Sequence, residues 1–202
     1  MRIVGIVGGV ASGKSQVAEL LEGLGAGILD ADREGHEVLK QGPVKQALRE
    51  RWGSEVFDSH GEIDRKKIAQ IVFAAPNGRS GELVFLEHLT HPRIRSRLQQ
   101  RADEFRREGK PAAVLDAPLL LEAGWKGLCD AILYVDAPRQ VRWERAAKRG
   151  WSEEDFARRE ASQQQLDQKR AQADRIIDNS QSLTHTRQQV LDFWNQFVKH
   201  AA

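Results

Sequence analysis

Residues Gly8-Gly9-Val10-Ala11-Ser12-Gly13-Lys14-Ser15 read G-x-x-x-x-G-K-S, directly after the apolar run Ile3-Val4-Gly5-Ile6-Val7. An amphipathic segment follows, with Val17, Leu20, Leu21 and Leu24 at helical spacing. A buried strand, a glycine-bearing loop and a helix in this order form a phosphate cradle. The glycines let the backbone curl until several N–H groups point inward. The new helix adds its unpaired amides and the positive end of its dipole. Ala11, Ser12, Gly13, Lys14, Ser15 and Gln16 are the candidate triphosphate contacts. Lys14 can bridge the outer phosphates as a point charge, and the Ser15 hydroxyl can hold Mg²⁺. This unit belongs to α/β folds, so the rest of the chain is expected to supply a parallel sheet.

Four further apolar runs meet that expectation, and each ends in an aspartate. They are Ile28-Leu29 before Asp30, Ala112–Leu115 before Asp116, Ile132–Val135 before Asp136, and Ile176-Ile177 before Asp178. Short apolar runs separated by helical patterns indicate a parallel sheet buried on both faces. Ligands of such sheets gather at the carboxyl ends of the strands. Asp136 and Asp178 are read as turn and cap residues. Five strands between helices predict a three-layer α/β/α core.

Two segments exceed what connectors need. Between Asp30 and Ala112 only helical patterns occur. Pro43 opens one after Gly42, and Asp64 caps one through Ile68, Ile71 and Val72. Pro92 sits in the first turn of another that Gly109 ends. Residues 33–89 are therefore read as a helical insertion and 138–171 as a second one. The core is then 1–32, 90–137 and 172–202, with Val190 to Val198 forming a last helix on the sheet. Two insertions on a phosphate-binding core suit a small-molecule kinase, one insertion holding the acceptor and the other acting as a lid that expels water.

Bulk properties narrow the classes. The chain has 202 residues, 40% apolar and 30% charged, with 31 basic and 29 acidic residues for a formal charge of +2. That balance points to no nucleic-acid partner, and no stretch approaches a membrane span. The single cysteine, Cys129, excludes an internal disulfide and is read as a small buried hydrophobe. No secretory signal is visible. The expectation is a cytoplasmic protein, a monomer or weak oligomer.

Phosphoryl transfer needs charge neutralisation, alignment and a group near the attacking hydroxyl. Asp30-Ala31-Asp32 closes the second strand, which can neighbour the first. Alternation points both carboxylates to one side if the extended geometry persists. One could accept or orient the hydroxyl proton; Asp32 could equally cap the following helix. Asp116 could hold a Mg²⁺-bound water, while Ala117–Glu122 reads as packing. Arg139, Arg142, Arg145 and Arg149 form one stripe on a helix opened by Pro138. A solvated basic face is expected for Arg139 and Arg142, and a phosphate-directed role for Arg145 and Arg149. Ser152 caps the next helix. His91 is either structural or turned toward an acceptor's phosphates. The histidines show no metal-ligand spacing.

The segments Gly8–Ser15, Asp30-Ala31-Asp32, Leu89-x-His91-Pro92-x-Ile94, Asp116-x-Pro118-Leu119-Leu120-x-Glu122, Val135-Asp136-x-Pro138 and Ile177-Asp178-Asn179 together resemble dephospho-coenzyme A kinases over nearly the whole chain. The resemblance implies a P-loop kinase that moves the ATP γ-phosphoryl group, with Mg²⁺, to the ribose 3′-hydroxyl of dephospho-CoA. It implies Asp32 as general base, Ala11 to Gln16 as nucleotide contacts, Arg145 and Arg149 as lid arginines, and 33–89 as the acceptor domain. The candidate catalytic residues are thus Asp32, Lys14 and Arg145, with Arg149 at ATP and Asp32 and His91 at the acceptor. Two positions depart from the family pattern: Ala11 stands where Gly is common, and Gln16 where Thr is common. Another small-molecule or nucleoside monophosphate kinase shares the core. A nucleotide-binding switch is the alternative of a different class, but nothing resembles the Asn-Lys-x-Asp guanine reader.

Overall fold

The computed structural model describes residues 1–74, 80–161, 163 and 165–199. Its five parallel strands are β1 (Arg2–Gly8), β2 (Gly27–Asp30), β3 (Ala112–Asp116), β4 (Ala131–Asp136) and β5 (Arg175–Asp178), in the spatial order β2-β3-β1-β4-β5. All five apolar runs are strands. The order corrects one expectation: β2 pairs with β3, and β3 lies between β2 and β1. The helical segment between β2 and β3 brings the chain back into the gap beside β1. In this arrangement β1 is central, and the loop after it opens at the carboxyl edge.

Val4 through Gly8 are buried without interruption, as are Ala112–Leu115 and Ala131–Val135. Consecutive burial requires cover on both faces. Helix α1 (Lys14–Gly23) and the last helix, α9 (Leu183–Lys199), share one apolar cluster with the sheet, including Val17, Leu21, Val190, Phe193, Trp194 and Phe197. The register sets the terminal aspartates side by side, Asp30 beside Asp116 and Asp136 beside Asp178. Asp178 is a turn residue, its Oδ1 accepting from the Ser180 amide at 2.8 Å.

The chain divides into two compact units, Met1–Asp30 with the chain from Arg101 onward, and Ala31–Gln100. The second holds α2 (Ala31–Leu39), α3 (Gly42–Trp52), α4 (Arg65–Val72) and most of α5 (Gly81–Arg107). Gly42-Pro43 opens α3, and Asp64 caps α4 by accepting from the Lys66 and Lys67 amides. Pro92 does not begin its helix. It lies inside α5, which starts at Gly81. A proline removes one amide from the ladder, and side chains reach nearby carbonyls: Thr90 Oγ1 donates to Leu86 O and Arg93 to Leu89 O. The expected stop does hold. Gly109, at φ +75°, ends α5 as Lys110 N donates to Phe105 O and Gly109 N to Arg106 O.

Beyond β4 come α6 (Arg139–Lys148), α7 (Glu153–Ala161) and α8 (Leu166–Ala171). Ser152 Oγ accepts from the Asp155 amide and so caps α7.

Candidate active site

The loop after β1 is shaped for an anion. No side chain caps α1, and its first turn carries no acid. The first amides of a helix have no intrahelical partner, so this end presents donors and positive potential. Ser12 is fully buried, and its Oγ has no hydrogen-bond partner. A buried hydroxyl left unsatisfied costs about 1–3 kcal/mol, which a phosphate oxygen would offset. Ser15 is exposed at the second position of the helix, and Gln16 is half-buried at the third.

Lys14 folds back over the loop. Its Nζ donates to the carbonyls of Gly8 at 3.1 Å and Gly9 at 3.0 Å. Burial above all, then the Lys169 charge, pull its ammonium down to about 8, while Asp116 and Glu122 oppose the fall. Lys169, on α8, is 1% exposed and pairs with Glu122 at 2.9 Å. Glu122 is thus not packing, unlike Leu120, whose Cδ1 fills the space beside Gly5. Nothing in the sequence marked Lys169, because only the fold brings α8 to β1. Asp116, the partner of Ile6 in the sheet register, is partly buried at the carboxyl edge.

The arginine stripe on α6 divides differently from expectation. Arg139 is a surface residue whose Nε donates to Glu160 at 3.0 Å. Arg142 is not solvated: it is 3% exposed. Its guanidinium donates to Ala137 O, to Val10 O at 3.3 Å and to Glu160 at 2.6 Å. Glu160 on α7 supplies the anion that lets two neighbouring arginines coexist. Arg145 donates to Ser12 O at 3.0 Å and Asn179 O at 2.7 Å, so it grips the loop from outside. Desolvation and the neighbouring Arg149 charge lower its pKa below the ordinary arginine value. Arg149 caps α6 and is exposed.

Asp32 and His91 belong to the second unit. Asp32 is the second residue of α2. Helix begins at Ala31, so the extended geometry does not persist and strand alternation does not relate Asp32 to Asp30. Nor is Asp32 the cap, since it lies in the helix's first turn. His91 lies within α5 and is half-buried, which lowers its pKa against the pull of Glu87. Cys129 is half-buried rather than fully buried as its sequence reading expects, and burial, with the Asp130 charge, pushes its thiol up to about 12.

The sequence model of the dephospho-CoA kinase family matches residues 2–185. The chain belongs to this family. A dephospho-CoA kinase of Symbiobacterium thermophilum is 41% identical over 197 residues, covering 96% of this chain and 80% of that one. One from Bacillus licheniformis is 39% identical over 202 residues, covering 98% of each. Among solved structures, TT1252 from Thermus thermophilus superposes with a TM-score of 0.80 at 31% identity, over 96% of this chain and 97% of that one. The dephospho-CoA kinase from Campylobacter jejuni does so with 0.72 at 25% identity, over 99% and 98%. A shikimate kinase from Acinetobacter baumannii shares the fold alone, at 15% identity and a TM-score of 0.53 over 99% and 94%.

For a dephospho-CoA kinase family member, the donor set also suits Mg²⁺. Among the described residues no group of three or more His, Cys, Asp or Glu stands together. Mg²⁺ in phosphoryl-transfer sites is held by one or two side chains, substrate phosphates and water. Ser15 and Asp116 match that sparse requirement. No described helix is long and apolar enough to cross a membrane.

Proposed function

We infer that this protein transfers the γ-phosphoryl group of ATP to the ribose 3′-hydroxyl of dephospho-CoA, giving coenzyme A as the last step of its biosynthesis. The observation that carries this reading is the uncapped start of α1, with the buried Ser12 Oγ and the Lys14 ammonium around it, in a chain that matches the family over residues 2–185. The amides of Ala11 to Gln16 bind the triphosphate. Lys14 leaves its two carbonyls for phosphate oxygens and neutralises charge as the γ-phosphoryl group departs. Ser15 and Asp116 would hold Mg²⁺, which would supply further neutralisation of that charge.

Asp32 takes the proton of the attacking hydroxyl, a contribution of roughly 10²–10⁴-fold for a positioned base. The support is its motif position, two residues after the β2 terminus. Residues 138–171 act as the lid; Arg145 exchanges the Ser12 and Asn179 carbonyls for the nucleotide as the lid closes, Arg149 joins it, and residues 33–89 hold the acceptor with His91. The free thiol of Cys129 suits the cytoplasm, where we place the reaction, and its substrates are ATP and dephospho-CoA.

The shared fold of the shikimate kinase keeps other small-molecule acceptors in view. A competition assay with Mg-ATP separates them: dephospho-CoA is consumed ahead of shikimate and nucleoside monophosphates. Turnover of one of those with dephospho-CoA untouched overturns the assignment.

A further inference from the structure

We propose that Asn179 and Thr186 form a positioning pair that fixes the Ser12 carbonyl and thereby aims the amides of the phosphate loop inward. Asn179 follows β5 directly and is 1% exposed, and Thr186 on α9 is fully buried. Every polar group of Asn179 is engaged. Its amide N–H donates to Asp136 O at 2.8 Å, its carbonyl accepts from Arg145 at 2.7 Å, and its Nδ2 donates to Ser12 O at 2.8 Å. The remaining acceptor, Oδ1, receives the Thr186 hydroxyl at 2.8 Å. That hydroxyl has a second acceptor, Ser182 O, only at 3.4 Å, so its proton goes to Asn179.

The orientation matters because a side-chain amide is nearly symmetric in shape. Flipped, it would set Oδ1 against the Ser12 carbonyl, oxygen to oxygen. Thr186 donates to Oδ1 and so keeps Nδ2 on the loop. A peptide carbonyl held outward leaves the N–H of the same peptide unit facing the other way, toward the cradle. The fit is close: a Cβ on Gly13 would stand 2.0 Å from Asn179 Nδ2, and Gly13 has φ +100°. Glycine is required there by the approach of Asn179 as well as by the backbone. Asn179 thus ties the loop to the edge strand β5 and acts on it through the Ser12 carbonyl.

This inference rests on reading the loop as the ATP cradle, so the test begins with Mg-ATP titrated into the parent protein. Thr186→Val keeps the shape and removes the hydroxyl; Thr186→Ser keeps the hydroxyl. Losing a buried partner is expected to weaken Mg-ATP binding about tenfold in Thr186→Val and raise KM for ATP with it. KM for dephospho-CoA stays within about twofold, and Thr186→Ser retains the parental values. Asn179→Asp, which cannot donate to Ser12, gives the same selective loss should the valine variant not fold. Parental ATP affinity in Thr186→Val or Asn179→Asp, equal loss in Thr186→Ser, or an equal rise in both KM values overturns the pair. A parent protein that does not bind Mg-ATP overturns the cradle itself, and the pair with it.

Discussion

Ala11 holds φ at +58°, the left-handed region, at a position where the family pattern commonly has glycine. The left-handed conformation costs a residue with a Cβ about 1–2 kcal/mol. Two terms oppose replacement by glycine. The Ala11 methyl packs beside Val10, Ala146 and Phe156, worth about 0.8 kcal/mol, and glycine adds about 0.4–1 kcal/mol of unfolded-chain entropy. The terms nearly cancel, so Ala11→Gly should leave stability within about 1 kcal/mol in urea unfolding; a loss well beyond that contradicts the packing role. The departure at Ala11 was legible, but its tolerance was not, because the compensating contacts come from α6 and α7. Lys14 gives a second prediction at this scale. Burial pulls its ammonium down to about 8 without nucleotide, and a bound polyanion favours the charged form. ATP binding should therefore take up protons near pH 8, and affinity should fall as pH rises past that value. Calorimetry in buffers of different ionisation enthalpy reads the uptake, and its absence contradicts the Lys14 assignment.

On α6 the spacing of four arginines was readable, but which of them is buried was not. Burial depends on Glu160, a residue of another helix. Side chains of Arg139 and Arg142 are 55% and 4% exposed, and both meet Glu160. An exposed pair contributes about 0–1 kcal/mol, whereas stripping the partner from a buried charge costs about 3 kcal/mol. Glu160→Ala should thus lose about 3 kcal/mol and Arg139→Ala less than about 1 kcal/mol in chemical denaturation. Equal losses would show that Arg142 does not depend on Glu160. Helix α5 teaches the same lesson about boundaries. Pro92 reads as a helix start by propensity, yet the helix begins at Gly81 and carries the proline inside.

For the whole molecule, all five strands were legible because a parallel strand covered on both faces needs an unbroken apolar run. Their order was not. Chain sequence does not say which gap a returning crossover fills, and β3 entered between β2 and β1. The phosphate loop was legible from eight adjacent residues, since its chemistry is local. Lys169, Asn179 and Thr186 reach it only through the sheet and the helices packed on it, over 150 residues away in the chain, and no local signal names their roles. The central claim is that this fold delivers a phosphoryl group to one hydroxyl of one acceptor. Incubation with Mg-ATP and dephospho-CoA, followed by mass and phosphorus NMR of the product, tests it most directly. The account predicts one added phosphate, on the ribose 3′-oxygen; an unchanged acceptor, or phosphate at another position, contradicts it.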